Sequence, residues 1–146
     1  MTMCNLSLAL EPITEENVAA IGAGLKAYND AQRETSGRSE FAVTVRTPDD
    51  NTIIGGAKCK IGEGMLFIEW LWIDDNARGG TGTRVMAMAE SHALAQGCTK
   101  AYLDTFNFQA RGFYEKLGYE VFGTLTFPGG AIERHYMCKD LVPPHG

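Results

Sequence analysis

No stretch of the chain stays apolar for the roughly 18 residues that a membrane-spanning helix requires, so no spanning segment is expected. Nor does the N-terminus, MTMCNLSLALEP, combine a basic start with a cleavable apolar core; with no secretory signal in view, the expected compartment is the cytoplasm. Cysteine is scarce: Cys4, Cys59, Cys98 and Cys138 stand far apart, with no Cys-x-x-Cys pair. That spacing argues against a disulfide framework and predicts reduced, partly buried thiols. Basic charge is also in short supply. The 13 Lys and Arg against 18 Asp and Glu leave a net charge of −5. No basic cluster offers the footprint of a nucleic-acid binder, so none is expected as a partner. The negative balance suits a cationic small molecule, although net charge speaks first to solubility. No group of His, Cys, Asp and Glu has metal-ligand spacing, so no metal is expected. Internal repeats, low-complexity tracts and linkers are absent too, which predicts one domain over 1–146.

What is present is enough for a core, since 45% of the residues are hydrophobic. Asn5 to Glu11 alternates and reads as a first strand. Thr14 caps a helix whose first turn holds Glu15 and Glu16, and whose apolar face carries Val18, Ile21 and Leu25. The polar stretch from Asn29 to Ser39 predicts a second short helix and a loop. Strands are expected over Phe41–Arg46 and Thr52–Lys60, joined at Pro48-Asp-Asp-Asn into a hairpin. After a tight turn at Gly62-Glu-Gly comes Met65 to Ile73, MLFIEWLWI, apolar enough to lie centrally in a sheet. A helix from Thr83 to Gln96 stops at Gly97. A strand over Lys100–Phe106 follows, then a short helix over Gln109–Leu117. Tyr119–Phe127 and Ile132–Leu141 are the last two strands. The order predicts a mixed sheet of about seven strands flanked by about four helices, in the α/β or α+β class. The strands on either side of the Thr83–Gln96 helix should run parallel.

The densest signal is Ala77-Arg-Gly-Gly-Thr-Gly-Thr-Arg84, between the central strand and that helix. Glycines allow a sharp turn that leaves amide N–H groups facing outward, and the helix N-terminus adds unpaired donors and partial positive charge. Together these make a seat for an anion such as a pyrophosphate, with Arg78 and Arg84 able to add charged contacts. The loop lacks the Gly-Lys-Ser/Thr of a Walker-type phosphate loop. It also lies too late in the chain for a dinucleotide-binding turn, and Asp104 stands in an unsuitable context for reading a ribose.

Two segments resemble the GNAT acetyltransferase superfamily. Glu69-Trp-Leu-Trp-Ile-Asp-Asp-Asn-Ala-Arg-Gly-Gly-Thr-Gly-Thr-Arg84 is similar to the family's fourth strand and its Q/R-x-x-G-x-G/A loop. Asn107-Phe-Gln-Ala-Arg-Gly-Phe-Tyr-Glu-Lys-Leu-Gly-Tyr119 matches the family's N-x-x-A-x-x-F-Y-x-K-x-G-F/Y motif at every fixed position. The element order over 5–141 fits the family fold as well. One departure stands out: with Gly80 and Gly82 on the family glycines, Ala77 occupies the Gln/Arg position, Arg78 falls one place late, and the loop is shorter. Thr81 replaces the usual aliphatic residue between the glycines.

The resemblance implies an acetyl-CoA-dependent N-acetyltransferase acting by direct transfer on a primary amine of a small molecule. It implies splayed central strands with pantetheine in the gap, paired to Leu71, Trp72 and Ile73. Arg78, Gly79, Gly80, Gly82, Thr83 and Arg84 would hold the CoA phosphates. Asn107 would hold the pantetheine arm or cap the following helix, and Lys116 would either reach the phosphates or stay solvated. Tyr114 is expected to protonate the departing thiolate. Glu69, a carboxylate in an apolar strand, is expected to have a raised pKa and to act as base. The oxyanion donor would be a backbone N–H near Leu71 or Trp72. His92 reads as an exposed helix residue and His135 as a strand residue near the acceptor pocket. That pocket is expected from the Tyr28–Glu40 segment, Trp70 or Trp72 and the last hairpin, with Asp30, Glu34 and Glu133 attracting a cation. The pattern leaves room for a homodimer. The rival readings are a domain that binds acetyl-CoA or a partner without turnover, and an unrelated phosphate-binding α/β domain.

Overall fold

The computed structural model describes residues 5–33 and 37–143, which fall into two units, Met1–Thr35 and Ser36–Gly146. The first unit is built around helix α1, Glu15–Gln32. Thr14 caps it: its hydroxyl accepts from the Asn17 amide at 3.0 Å, and the Asn17 carboxamide accepts from the Thr14 amide at 2.9 Å. Lys26 and Asp30 pair one turn apart along it, at 2.6 Å. The strand expected from Asn5 to Glu11 does not form; those residues are without regular structure. Alternation gives a segment two faces, but a strand also needs a ladder partner. The second helix expected after Asn29 is not found either, because α1 runs on to Gln32. Glu34 and the rest of 34–36, like Cys4, lie outside the described residues.

The second unit holds a six-stranded mixed sheet, ordered β1-β2-β3-β4-β6-β5. Its strands are β1 Ser39–Arg46, β2 Ile53–Gly62, β3 Met65–Ile73, β4 Lys100–Phe106, β5 Glu120–Thr126 and β6 Glu133–Asp140. The mixed α/β class is as expected, with one strand and one helix fewer than the sequence suggested. The β1–β2 hairpin turns at Pro48 to Asn51, where the Thr47 hydroxyl donates to the Asp50 carboxylate. The β2–β3 hairpin closes on Glu63 and Gly64, both at positive φ (56° and 77°), which fits the right-handed twist of paired strands. One glycine in this region is obligatory. Gly56 has φ +150°, and a Cβ there would lie 2.2 Å from the Val43 carbonyl oxygen across the ladder.

Helix α2, Thr81–Ala95, crosses from β3 to β4 and packs on β1–β3. Val85, Met86, Ala89 and Ala93 on its inner face meet the odd-numbered residues of β2 (Ala57, Cys59, Ile61) and Leu66 and Ile68 of β3. This is why β2 alternates: its inward residues are small or thin enough to let α2 approach. Helix α3, Arg111–Lys116, adds Tyr114, and Tyr119 follows it into the same core. Tyr119 donates to Glu90 Oε2 on α2 at 2.8 Å, and Glu90 Oε1 receives Lys139 Nζ of β6 at 2.7 Å. A buried phenol and a half-buried carboxylate thus satisfy each other and tie helix to sheet.

Candidate active site

The parallel β3–β4 ladder is short. Met65, Leu66 and Phe67 pair with Lys100, Ala101 and Tyr102, and the register goes no further. Beyond it the strands part, and a cavity of about 800 Å³ opens between them. Ile68, Glu69, Leu71 and Ile73 line one wall and Asp104, Thr105 and Phe106 the other. The glycine loop and α3 close its end, so the two segments singled out in the sequence meet at one place. Edge N–H and C=O groups of alternate residues along the open part of β3 are left to pair with whatever fills the gap.

A β-bulge begins the open part. Lys58 and Cys59 are neighbours on β2, but they pair with Trp70 and Ile68, so Glu69 is the extra residue. A bulge re-aims the side chain it carries, and Glu69 lines the cavity. Its carboxylate receives Lys58 Nζ at 2.9 Å and lies 3.5 Å from Lys60 Nζ. The raised pKa expected of Glu69 is therefore overturned. The Lys58 hydrogen bond, against some desolvation, and the positive charge of both lysines hold it below the usual carboxylate range. The strand is apolar in sequence, but its neighbour supplies two lysines on alternate residues.

The loop after β3 begins with a 3-10 turn, Asp75–Ala77, which Asp74 caps by accepting from the Asn76 amide at 2.9 Å. Gly79 and Gly80 follow at φ 113° and 91°, with open space where a Cβ would stand. Gly80 is the N-cap of α2, and no side chain caps that end. Its carbonyl takes the first helical bond, from the Arg84 amide at 3.1 Å. The amides of Thr81, Gly82 and Thr83 precede that bond and have no intrahelical acceptor. The Thr81 hydroxyl turns back to donate to the Ala77 carbonyl, which locks the shortened loop. Gly82 faces Phe113 of α3, and a Cβ on it would come within 3.1 Å of the ring. Arg78, Gly79, Gly80, Gly82 and Thr83 line the cavity, as expected, and Arg78 also pairs with Asp75 at 3.1 Å. Arg84 does not line it: as the fourth residue of an exposed helical turn, it leaves on another side. Of the expected Leu71-Trp72-Ile73 run, Leu71 and Ile73 line the cavity and the Trp72 side chain alternates away.

From the far wall, Tyr114 reaches the cavity and is otherwise buried, at 9% exposure. It packs edge-on against Phe113 and Tyr119. Its hydroxyl makes no hydrogen bond among the described residues. Burial, with the nearby Asp104 charge adding to it, pushes its pKa up to about 12, so the phenol stays protonated at neutral pH. Asp104 is itself held by Arg134, at 3.0 Å to Nε and 2.9 Å to Nη2.

Asn107 does not cap α3, and its carboxamide is partly used within the fold. Its Nδ2 donates to the Ala131 carbonyl at 3.1 Å, and its Oδ1 accepts from the Glu133 amide at 3.1 Å. Both ends of the carboxamide tie the end of β4 to the turn before β6. The N-cap of α3 is Ala110, with no side-chain bond. Lys116 sits exposed in the last turn of α3, away from the cavity. His92 is exposed and its ring meets Phe41 edge-on. His135 is buried at 3%, with Nδ1 3.0 Å from the Thr124 hydroxyl, and does not line the cavity. Glu133 is 3.7 Å from His135 Nε2. Sequence reasoning missed Gln109, Phe113 and Thr105, which line the cavity. Gln109 and Phe113 fall inside the second segment, and Gln109 holds one of its variable positions. Among the described residues no group of three or more His, Cys, Asp and Glu is placed to hold a metal.

Residues 10–119 match the model of the acetyltransferase (GNAT) family. The chain belongs to that family. It is 36% identical over 107 residues to an acetyltransferase of Agrobacterium fabrum, covering 73% of this chain and 77% of the relative. It is 33% identical over 105 residues to the blasticidin-S acetyltransferase of Streptomyces morookaense, covering 70% of this chain and 76% of that one. A crystal structure from Agrobacterium tumefaciens, assigned as an acetyltransferase, superposes with a TM-score of 0.85 at 31% identity, covering 92% and 99% of the two chains. The protein is thus an acetyl-CoA-dependent acyltransferase. Its cavity fits the donor: a strand edge for an amide-bearing arm, and Cβ-free glycines with unpaired helix amides for phosphates.

Proposed function

We propose that the protein transfers acetyl directly from acetyl-CoA to a primary amine of a small molecule, with Tyr114 as general acid and Glu69 as base. One observation carries the reading: the Tyr114 hydroxyl, protonated and without a protein partner, lies on the wall of the gap between β3 and β4.

The nitrogen must attack as the neutral amine. It forms a bond to the thioester carbon and gives a tetrahedral adduct with negative charge on oxygen and positive charge on nitrogen. An N–H of β3 near Leu71 or Trp72 is proposed to receive the oxyanion. Glu69 stays ionised through the neutral range and takes a proton from the adduct nitrogen, directly or through a water. As the C–S bond breaks, Tyr114 donates to the sulfur. A phenol near 12 is a weaker acid than a thiol of about 8.5. Tyr114 therefore gives up its proton only in concert with its replacement by the proton that Glu69 has taken from the nitrogen, passed on through water, and otherwise stabilises the thiolate by a hydrogen bond. The products are the acetamide and free CoA thiol. The free thiols among the described residues, Cys59, Cys98 and Cys138, suit the reducing cytoplasm proposed for the protein.

The test is CoA-thiol release from acetyl-CoA in the presence of separate primary amines: an aminoglycoside, a nucleoside antibiotic, a polyamine and an amino acid. Amine-dependent release with at least one, and a matching acetamide by mass, is the expected result. Binding of acetyl-CoA with no release for any of them would favour a domain without turnover.

A further inference from the structure

Among the described residues, the acidic side chains that line the cavity are Glu69 and Asp104, and each already has a cation beside it. Asp104 takes Nε and Nη2 of Arg134. Glu69 takes Lys58 Nζ at 2.9 Å. Lys58 is held there from other sides as well: its ammonium lies 4.7 Å over the Trp70 ring and 3.9 Å from Glu40 of β1. An acceptor with several positive charges would meet no uncompensated carboxylate on these walls.

Lys60, two residues along β2, is held more loosely. Its Nζ stands 3.5 Å from the same Glu69 oxygen and 3.9 Å from Glu40. Both distances exceed the roughly 2.7–2.9 Å of a charge-assisted N–H···O bond, and the side chain is 48% exposed. Glu69 and Glu40 thus face two lysines, and Lys60 is the one with the weaker contacts. Its place in the sheet is opposite Phe67, the last rung before β3 and β4 part. A lysine ammonium has three donors that rotate freely. Lys60 can therefore turn them to an anion that enters beside Glu69.

We propose that the acceptor is a primary amine carrying an anionic group, a carboxylate or a phosphate, a few bonds from its nitrogen, and that Lys60 binds this group while the amine meets Glu69. The proposal rests on the acetyl-transfer reading above and names its substrate class. Lys60 Nζ and the Glu69 oxygen are 3.5 Å apart, so the two charges that match them must lie close together on the acceptor. A polyamine offers Lys60 only repulsion, and a plain alkylamine offers it nothing. Lys60 is a specificity-determining residue in this arrangement and does not touch the reacting atoms.

Matched acceptors test it. An amino acid is compared with its methyl ester, and an aminoalkyl phosphate with its amino alcohol, by CoA-thiol release at equal concentrations of neutral amine. At least one anionic member should be used about tenfold better in kcat/KM than its uncharged partner. A preference in only one pair supports the proposal and identifies the anion. Lys60→Met should raise KM for the anionic member about five- to tenfold, with kcat near wild type and the uncharged member unaffected. Lys60→Arg should keep most of the preference. The melting temperature of Lys60→Met should stay near wild type, because the side chain is half exposed. Uncharged partners used as well as the anionic members would overturn the proposal and leave acetyl transfer standing. A loss in Lys60→Met that falls equally on both members of a pair would also overturn it, since Lys60 would then act through Glu69 alone. Release with none of these amines, nor with those of the earlier panel, would sink the acetyl-transfer reading and this proposal with it.

Discussion

Along β3 and β4 the same two strands behave in two ways. From Met65 to Phe67 they form a ladder, with Leu66 fully buried against α2 and Ala101 beside it. From Ile68 onward they part, a bulge turns Glu69 into the gap, and the walls carry groups left for a ligand. The closed part makes the open part tolerable: a sheet split along its whole length would expose its core, whereas three paired rungs and a helix across them hold the split at a fixed width. The two tyrosines of the α3 segment repeat the contrast. Tyr119 is buried at 1% with its hydroxyl bound to Glu90, and Tyr114 is buried with its hydroxyl left to the cavity. Satisfied polar groups belong to the fold, and the unsatisfied one faces the cavity in which we propose the chemistry.

The contrast breaks most visibly in the closed part. Leu66→Ala should cost on the order of 3 kcal/mol, read as a lower denaturation midpoint, because a fully buried leucine leaves a cavity under α2. The same variant, where folded, should bind acetyl-CoA within about threefold of wild type. A larger loss of affinity than of stability would mean that the two parts are not separable.

A smaller effect sharpens the tyrosine pair. Tyr119→Phe should cost on the order of 1.5 kcal/mol by leaving Glu90 one partner short, with kcat close to wild type. A large loss of kcat in that variant would contradict the division of labour between the tyrosines.

Much of this was legible in the sequence, for identifiable reasons. The β3–α2–β4 crossover follows from a long apolar strand, a glycine turn and a helix stopped by Gly97, all local signals. The Asn107–Tyr119 motif located Tyr114, because a short helix at a fixed offset from a strand end fixes where its residues face. What could not be read were pairings between distant segments. Glu69 was expected to be basic because its own strand is apolar; only the ladder reveals Lys58 and Lys60 beside it. The bonds of Asn107 to Ala131 and Glu133 were hidden as well, because those partners lie more than 20 residues later in the chain. The Asn5–Glu11 alternation carried no information about whether a neighbour would be there to complete a strand.

The mildest test uses pH. The folded-state pKa of Tyr114 is raised from the ordinary value of about 10 to about 12, so the fold favours the neutral phenol. Its contribution to stability is fully present below pH 10 and is lost as pH rises through 12. Ultraviolet difference titration should accordingly find no ionisation of Tyr114 below about pH 11, and kcat should show no basic limb from it there. Asp104→Asn removes the nearby negative charge, a lesser cause than burial, and should bring the ionisation down slightly. A Tyr114 ionisation near pH 9 would remove the basis for a protonated donor.

The central claim is that the open part of the β3–β4 pair is an acetyl-transfer site whose proton donor is Tyr114. Single-turnover CoA-thiol release by Tyr114→Phe, with acetyl-CoA affinity measured on the same preparation, tests it most directly. Release should be slowed about 100-fold or more with affinity within about twofold of wild type. Release at the wild-type rate would contradict it.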